Sequence, residues 1–449
     1  MSDALLDRLF GSPDIEAIFD ERGRLQGMLD FEAVLARVES RLGLIPAPAA
    51  EVIAACCRAE RFDVAALGRE ALLAGNTAIP MVRHLRQLVA TQDAAAATHV
   101  HYGATSQDAM DTGLVLQLRA ALDWLDRALE RLTRVTAEQA ERHRDTLLAG
   151  RTWMQQALPV TLGLKIAGWL DAIERHRQRL AELQPRLLVL QFGGAAGTLA
   201  GLHPHGPAVA GALAAELKLA LPALPWHTQR DRIAEVGMTL ALLVGTLGKI
   251  ARDVSLLMQS EVGEAFEPSE PGKGGSSSMP HKRNPVSSAV VLSAAVRAPG
   301  LAATLLSAMV QEHERGLGGW HAEWQTLPEL FDLTAGAVEH ILQVVAGLEV
   351  DAERMRANLD TTQGLILAEA VKMALAPHLG APQAHTLVEQ ACRDAVAQRR
   401  HLREVLASDT QVSGVLPGDA LERLFDPAQY VGASAEMVEA ALAAHHRQH

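Results

Sequence analysis

Apolar residues recur at intervals of three and four along much of the chain, which is the spacing of one face of an α-helix. The clearest series is unbroken by proline and has the period of a coiled-coil seam. It consists of Ile233, Val236, Leu240, Leu243, Leu247, Ile250, Val254 and Leu257. A second series has Arg, Asp and Glu on its other faces and consists of Leu118, Leu122, Leu125, Leu129 and Leu132. Both series predict long helices that pack along apolar seams.

Similar patterns predict three more long helices, near residues 161–190, 286–310 and 330–348. We expect a kink at Pro299, because proline removes a helical hydrogen bond. Strand signals are sparse, since aromatic residues make up only 4% of the chain and alternating β-branched residues are hard to find. We therefore predict an all-α fold with a central bundle of five long helices and two smaller helical caps.

Interruptions in the pattern divide the chain into three predicted domains. The first and last parts have shorter helices with more breaks than the middle. The predicted boundaries give an N-terminal helical domain at 1–110, a central bundle at 111–350 with a catalytic loop at 270–286, and a C-terminal helical domain at 351–449.

Composition narrows the classes of protein that are possible. Hydrophobic residues make up 49% of the chain, which provides for a large core, and the formal net charge is −12. Nucleic-acid binding is not expected, because no basic stripe accompanies the negative charge. The longest uncharged apolar run, near Val236 to Gly248, is too short to span a bilayer. The opening MSDALLDRLF lacks the pattern of a signal peptide, so we predict a soluble cytoplasmic protein.

Cysteines and ligand motifs give no sign of a bound cofactor. Cys56, Cys57 and Cys392 are the only cysteines, and no Cys/His spacing suits zinc. The adjacent pair is typical of core residues in a reducing compartment. No nucleotide fingerprint and no setting for a lysine Schiff base is visible, so we predict neither a metal nor another cofactor.

Two polar stretches precede predicted helices in the first half of the chain. In HVHYGATSQDAMDT, residues 99–112, Thr105, Ser106 and Asp108 are cap-type residues. The stretch is either an ordinary helix cap or a carboxylate site on free helix N–H groups. GRTWMQQALPVTLG, residues 150–163, is predicted to be a loop. Its Trp153 is either a core residue or part of a site.

Two more polar stretches occur later in the chain, one directly before the Ile233–Leu257 series and one well after it. PWHTQRDR, residues 225–232, is a polar helix start unless Gln229 binds a ligand. QEHERGLGGWHAEW, residues 311–324, contains Arg315 and His321. Either stretch alone is compatible with a surface segment.

The glycine- and serine-rich stretch GKGGSSSMPHKRNPV, residues 272–286, is the strongest candidate for chemistry. Its glycines permit movement and close backbone approach. Three consecutive serines supply hydroxyl groups, Lys282 supplies a positive charge and Asn284 an amide. The stretch is neither a G-x-S-x-G nucleophile elbow nor a phosphate-binding P-loop.

The segment GSSSMPHKRNP resembles the signature loop of the fumarase/aspartase superfamily, G-S-S-x-M-P-x-K-x-N-P. The other polar stretches follow in the order that this family has, so the resemblance covers essentially the whole chain. It implies an all-α fold of three domains and a homotetramer whose active sites each draw on three subunits. In this family the first serine of the loop, here Ser276, is the catalytic base.

The resemblance also implies roles for other residues. Lys282 and Asn284 would bind substrate carboxylate, with Met279 beside them in the motif. Thr105 and Ser106 match the family's threonine–serine pair. His101 matches a substrate-contacting histidine of the adenylosuccinate lyase branch.

One departure from the family pattern points to a particular branch. Fumarases and adenylosuccinate lyases have histidine after the threonine in R-T-H-x-Q, whereas this chain has RTWMQ, with Trp153 in that place. The chain instead resembles the lactonising branch, in which a muconate tricarboxylate closes a ring on its own double bond. The attacking carboxylate has a pKa near 4 and is already ionised, so no residue needs to move its proton. The exchange of histidine for tryptophan is then tolerated.

In that reaction the protein binds a tricarboxylate and protonates one carbon. Ser276 is the expected proton donor and Ser277 the alternative, because a shift of one residue in the loop exchanges them. The expected substrate-binding groups are Lys282, Arg151 and Arg315 as cations, with His101, Gln155, Gln229 and His321 as further donors. For Arg315 the alternative is a surface ion pair with Glu312 or Glu314.

Two other functions remain open at this point. One is an amine-eliminating lyase of the adenylosuccinate type, against which Trp153 argues. The other is a non-catalytic structural protein comparable to the lens crystallins related to this superfamily. The intact Ser276, Met279, Lys282 and Asn284 argue against that second reading.

Overall fold

The computed structural model describes residues 7–270, 272–276 and 278–448 of the chain. Short helices occupy the first hundred of these residues. They are α1 (Asp7–Phe10), α2 (Pro13–Phe19), α3 (Glu21–Arg41), α4 (Ala47–Cys56), α5 (Val64–Ala74) and α6 (Ala78–Ala90), with 3₁₀ turns at Ala59–Arg61 and Ala96–His99. Cys56 and Cys57 are buried, as predicted.

Long helices dominate the middle of the chain. They are α7 (Ser106–Arg142), α8 (Leu162–Leu187), α10 (Asp231–Leu257), α11 (Val286–Ser307) and α12 (Gly319–Ala346), and a shorter α9 (Gly206–Leu217) lies between the second and third of them. Every residue of the two predicted seams is buried, with at most 5% of its surface exposed. The apolar periodicity therefore located α7 and α10 correctly.

The helix predicted at 330–348 begins earlier than expected. α12 starts at Gly319 and contains Pro328 in its interior, so the predicted start after this proline is wrong. The backbone reaches the helix through Gly318, whose φ of +96° is open to glycine but strained for other residues. As a consequence His321 lies in the first turn of a helix rather than in a loop.

The prediction of a loop at residues 150–163 is also wrong. The segment belongs to an antiparallel hairpin of β1 (Leu147–Thr152) and β2 (Gln155–Thr161). Trp153 and Met154 form the two-residue turn, with φ of 51° and 65°. Such turns usually contain Asn-Gly, because both central residues need positive φ. The hairpin therefore lacks its usual sequence signal.

The C-terminal part returns to short helices, as predicted. They are α13 (Ala352–Leu359), α14 (Ala368–Leu379), α15 (Ala381–Gln398), α16 (Leu402–Ala407), α17 (Thr410–Ser413), α18 (Gly418–Leu424) and α19 (Ser434–Gln448). A two-residue β3 (Ala265–Phe266) pairs with β4 (Glu349–Val350). Val371, Leu375, Leu402 and Leu406 belong to one apolar cluster that forms a core of this region.

The chain divides into two compact units, each built from three separate stretches. The first unit contains Met1–Leu129, Arg175–Gly248 and Val290–His340. The second contains Glu130–Glu174, Lys249–Ala289 and Ile341–His449. This division into two units does not test the three domains predicted from the sequence, which stay a prediction.

Two helices, α10 and α11, are long and apolar enough by composition to cross a membrane. The core helix of a soluble protein meets the same criterion, and 61% of the most apolar window of α10 is buried inside the fold. In α11 the buried share is 33%, so much of its apolar surface faces outward.

Candidate active site

The start of α7 in the first unit is organised by Asp108. Its carboxylate accepts a hydrogen bond from the Thr105 amide at 3.1 Å, as the third helical residue does in a capping box. The same buried carboxylate accepts from the amides of Gly193 and Gly194, both at 2.9 Å, and contacts His227 Nε2 at 2.8 Å. Asp108 therefore joins the cap to a glycine turn and takes a structural role.

Arg315 lies against this helix start and has only neutral partners. Its guanidinium donates to Gln107 Oε1 at 3.1 Å, Thr105 Oγ1 at 3.4 Å and the Ala195 carbonyl at 3.2 Å. Among the described residues no carboxylate pairs with it, so the alternative of an ion pair with Glu312 or Glu314 is wrong. A positive charge beside a helix N-terminus makes this place attractive to an anion.

His101 lies just before the same helix, in a left-handed backbone conformation with a φ of 61°. Its Nδ1 is 2.5 Å from Oε1 of the buried Glu32 on α3. Burial works to lower the pKa of His101, but the negative charges of Glu32 and Asp108 outweigh it, and the pKa lies above its ordinary value. The raised pKa favours the positively charged form of the ring.

Gln229 and His321 complete the predicted residues of the first unit. Gln229 is exposed and lines a cavity of about 560 Å³ together with Gly197, Trp226 and Glu314. His321 is exposed on α12, and its ring centroid lies 4.4 Å from that of Trp324. Both side chains are accessible to a ligand.

The glycine- and serine-rich stretch of residues 272–286, here called the serine loop, belongs to the second unit. Ser276 Oγ accepts hydrogen bonds from the Met279 amide at 3.1 Å and the Ser278 amide at 3.4 Å. Lys282 is exposed, and no described residue pairs with its side chain. The two N–H donors favour negative charge on the serine oxygen. Ser277 lies outside the described residues.

Asn284 closes the serine loop at its base. Its backbone N–H donates to the Gly274 carbonyl at 2.9 Å, and its side-chain Nδ2 donates to the same carbonyl at 3.1 Å. The side chain also lies 3.3 Å from the Gly275 carbonyl. Gly274 has a φ of +68°, and a Cβ there would lie 2.7 Å from the Asn284 carbonyl oxygen. The side-chain N–H groups thus hold the loop, while Met279 is partly exposed on it.

The hairpin of the second unit carries the remaining predicted residues. Trp153 at the turn is 97% exposed, so the alternative of core packing is wrong. Gln155 beside it is exposed as well. Arg151 makes two hydrogen bonds, of 2.8 and 2.7 Å, with the buried carboxylate of Glu264. The charge of Arg151 is therefore compensated, and the pair fixes the hairpin.

A buried ionic network in the first unit was not predicted from the sequence. Arg230 bonds to both Asp111 and Glu323, with distances between 2.5 and 3.1 Å. Asp111 also accepts from Gln107 Nε2 at 3.0 Å, and Gln107 in turn holds Arg315. The only available signal was the presence of charged residues among apolar helical positions. Within the described residues no cluster of histidine, cysteine or acidic side chains could hold a metal ion.

Two protein-family models match this chain. A lyase family model matches residues 11–300, and an adenylosuccinate lyase C-terminus model matches residues 364–441. The chain therefore belongs to the lyase family of the fumarase/aspartase superfamily, and the predicted all-α fold is confirmed.

Four relatives with nearly full coverage, at 46% to 62% identity, share one name. The 3-carboxy-cis,cis-muconate cycloisomerase of Pseudomonas aeruginosa is 62% identical over 98% of this chain and 96% of that protein. The protein of the same name from Bradyrhizobium diazoefficiens is 53% identical over 97% of this chain and 96% of its own length. The crystal structure of the 3-carboxy-cis,cis-muconate lactonizing enzyme from Pseudomonas putida matches with a TM-score of 0.95 at 56% identity, covering 99% of both chains.

Proposed function

We propose that this chain is a cycloisomerase that converts 3-carboxy-cis,cis-muconate into a carboxylated muconolactone, the reaction of the protocatechuate branch of the β-ketoadipate pathway. The observation that carries the proposal is the setting of Ser276. Its oxygen accepts hydrogen bonds from two backbone N–H groups, and no general base among the described residues contacts it. This setting suits a group that gives a proton to carbon and is briefly negative. The name shared by the Pseudomonas aeruginosa and Bradyrhizobium diazoefficiens relatives supports the same substrate.

The reaction divides into two bond-forming events. A carboxylate oxygen of the substrate attacks an alkene carbon of the same molecule and forms the ring C–O bond. The π electrons move toward the far carboxylate, and the carbon next to it takes the proton from Ser276 Oγ. The Ser278 and Met279 amides and Lys282 stabilise the resulting alkoxide, which then recovers a proton from water.

The intramolecular attack explains why Trp153 replaces a protic residue. A muconate carboxylate is ionised at neutral pH, since carboxylic acids have pKa values near 4. The nucleophile needs no base, and the protein contributes mainly by holding the chain bent, an effect worth several kcal/mol in related ring closures. We propose that the exposed Trp153 ring packs against the bent diene.

Three carboxylates need several binding groups. We assign the main carboxylate contact to Arg315, because its cation has only neutral partners and lies beside the Thr105–Ser106 helix start. We assign further positive charge to His101 and Lys282 and further contacts to Gln229, His321, Gln155 and Met279, which different subunits would supply. Asn284 would act by holding the serine loop. Arg151 is bound to Glu264 and serves chiefly to support the hairpin.

We further propose a cytoplasmic homotetramer whose active sites each take residues from three subunits. The support in this chain is apolar surface on α10, α11 and the segment after α11. Val296 and Val310 are 81% and 85% exposed, and Leu242 and Leu306 are more than half exposed. Burying such surface between subunits is favourable. Light scattering of the purified protein should give the mass of four chains, and a monomer would contradict the assembly.

The function is tested by ultraviolet absorbance. The purified protein should remove the diene absorbance of 3-carboxy-cis,cis-muconate and leave a lactone that NMR identifies. Plain cis,cis-muconate, which lacks one carboxylate, should react far more slowly, and adenylosuccinate should remain intact. If the tricarboxylate is unchanged while adenylosuccinate is cleaved, the chain is an amine-eliminating lyase. If neither reacts, the non-catalytic reading is favoured.

Replacing Arg315 with alanine should raise KM for the tricarboxylate about 10- to 100-fold, the value of a lost charged hydrogen bond. Arg315→Lys should recover part of the loss, because the charge returns without the forked geometry. Steady-state kinetics provides the measurement. Arg423→Ala, at an exposed ion pair with Asp419, is the matched control and should behave like the parent. An unchanged KM in Arg315→Ala would remove this residue from the binding site.

A further inference from the structure

Helix α3 carries two glutamates on one buried face. Glu32 and Glu39 are seven residues apart, or about two turns, and have 1% and 0% of their surface exposed. Oε1 of Glu32 contacts His101 Nδ1 at 2.5 Å. Oε2 of Glu32 and both oxygens of Glu39 have no hydrogen-bond partner among the described residues. Among the described residues, His101 is thus the one side chain that pairs with these two buried acids.

Such a pair cannot carry two negative charges at low cost, because an unpaired buried carboxylate loses its hydration. Burial, together with the charge of Glu32, raises the pKa of Glu39 to about 9. Glu39 is therefore a neutral acid at pH 7. Glu32, in contrast, has the His101 ring as a partner, and its negative charge raises the pKa of that ring.

The ring of His101 has one engaged and one unengaged nitrogen. Nδ1 is directed to Glu32, whereas no described residue bonds to Nε2. The side chain is only 12% exposed, and its left-handed backbone is an uncommon conformation for a residue with a Cβ. Conformations of this kind persist where the surroundings hold them, often at functional sites.

We propose that Glu32 is a positioning residue that holds His101 as an imidazolium, with Nε2–H presented to a carboxylate of the substrate. The proposal rests on the proposed function, since the ligand is the tricarboxylate assigned above. Glu32 acts through His101 and does not itself touch the substrate. It converts a histidine that burial alone would leave neutral into a cation of the site.

The charges that face His101 come from three elements. Glu32 on α3 and Asp108 on α7 favour the charged ring, while Arg86 on α6 opposes it. Arg86 also donates to the Val100 carbonyl at 3.1 Å and so supports the segment that carries the histidine. Of the two acids, only Glu32 contacts the ring, and Asp108 is already occupied by the glycine turn and His227. Removing the charge of Glu32 is therefore the specific perturbation.

The direction of the pH effect follows from the raised pKa of His101. The imidazolium is complete below that pKa and is lost as the pH rises through it. For the wild-type protein kcat/KM should fall on the alkaline side as the ring loses its proton. In Glu32→Gln burial is no longer opposed by the nearest charge, so the same fall should occur at lower pH.

The test compares Glu32→Gln with Glu39→Gln. Glutamine has the shape of a neutral acid, so Glu39→Gln should keep the parent pH profile. Glu32→Gln should raise KM about tenfold or more near pH 7.5, since one pKa unit is a factor of ten. The change in kcat should be smaller, and KM should approach the parent value as the pH is lowered, because the ring regains its proton. Glu32→Asp, which keeps the charge, should restore part of the parent profile.

A second readout does not depend on turnover. With ¹³C-labelled histidine, the His101 signal is assigned by its absence in His101→Asn, and its titration midpoint should fall by at least about one unit in Glu32→Gln. An unchanged midpoint overturns the proposal. So does a KM that rises equally at every pH, which would mean a merely structural defect. If the wild-type protein fails to convert the tricarboxylate but the midpoint still moves, the proposed function fails and the Glu32–His101 coupling stands.

Discussion

Replacing Ser276 with alanine is expected to lower kcat about 10²- to 10⁴-fold, the usual contribution of a positioned proton donor. KM should change much less, because the hydroxyl acts on the carbon and no carboxylate depends on it. The physical reason is the pair of amide donors, from Ser278 and Met279, that stabilise the oxygen once its proton has left. Stopped-flow and steady-state absorbance assays with the tricarboxylate measure kcat and KM.

Ser278→Ala is the matched control for this substitution. It lies in the same serine loop, is exposed, and supplies its backbone amide to Ser276 Oγ, which the change to alanine leaves in place. Its kcat should stay within a few-fold of the parent. Turnover of Ser276→Ala at the parent rate would contradict the assignment, and a large loss in Ser277→Ala would then transfer the role to that neighbour.

Replacing Arg230 with methionine should reduce the free energy of unfolding by about 3–5 kcal/mol, as when one partner of a buried ion pair is removed. The guanidinium side chain is 1% exposed and lies between Asp111 and Glu323. Burial disfavours its charge, but the two carboxylates outweigh that effect and raise the pKa of Arg230 above its ordinary value. Without it, both acids remain buried beside each other. Urea unfolding at pH 7 measures the loss.

Arg393→Met is the control for the stability measurement. It removes an equivalent charge from an exposed pair with Glu389 on α15, at 3.1 Å, where such pairs contribute about 0.3–0.5 kcal/mol. The loss in Arg230→Met should also diminish at low pH, because burial raises the pKa of Glu323 and this acid can then take up a proton. Equal stability of the two variants would show that the buried network contributes little.

Periodicity predicted the helices that are long and apolar on one side. The seam of α10 and the series in α7 were located from spacing alone, because burial of one face selects apolar residues every three or four positions. The hairpin of β1 and β2 was missed, since its turn residues Trp153 and Met154 lack the glycine or asparagine that marks such turns. The start of α12 was missed because a proline inside a helix reads as a boundary.

The candidate site was predictable only where it is local in sequence. The serine loop and the start of α7 each lie within a few consecutive residues, and the family motif identified them. The contacts that fix their neighbours join residues far apart in sequence, such as Glu32 with His101, Gln107 with Arg315 and Arg230 with Glu323. Charge alone does not reveal such pairs, because a buried glutamate and a solvated one have the same letter.

The exposed tryptophan at the turn of the hairpin gives the protein an intrinsic optical reporter. Of the six tryptophans in the chain, Trp124, Trp169, Trp226 and Trp320 are each at most 9% exposed, whereas Trp153 is 97% exposed. Iodide or acrylamide should quench the red-edge emission of this indole selectively. A ligand or a neighbouring chain that covers the tip would shield it, so fluorescence can follow occupancy at this point without any added label.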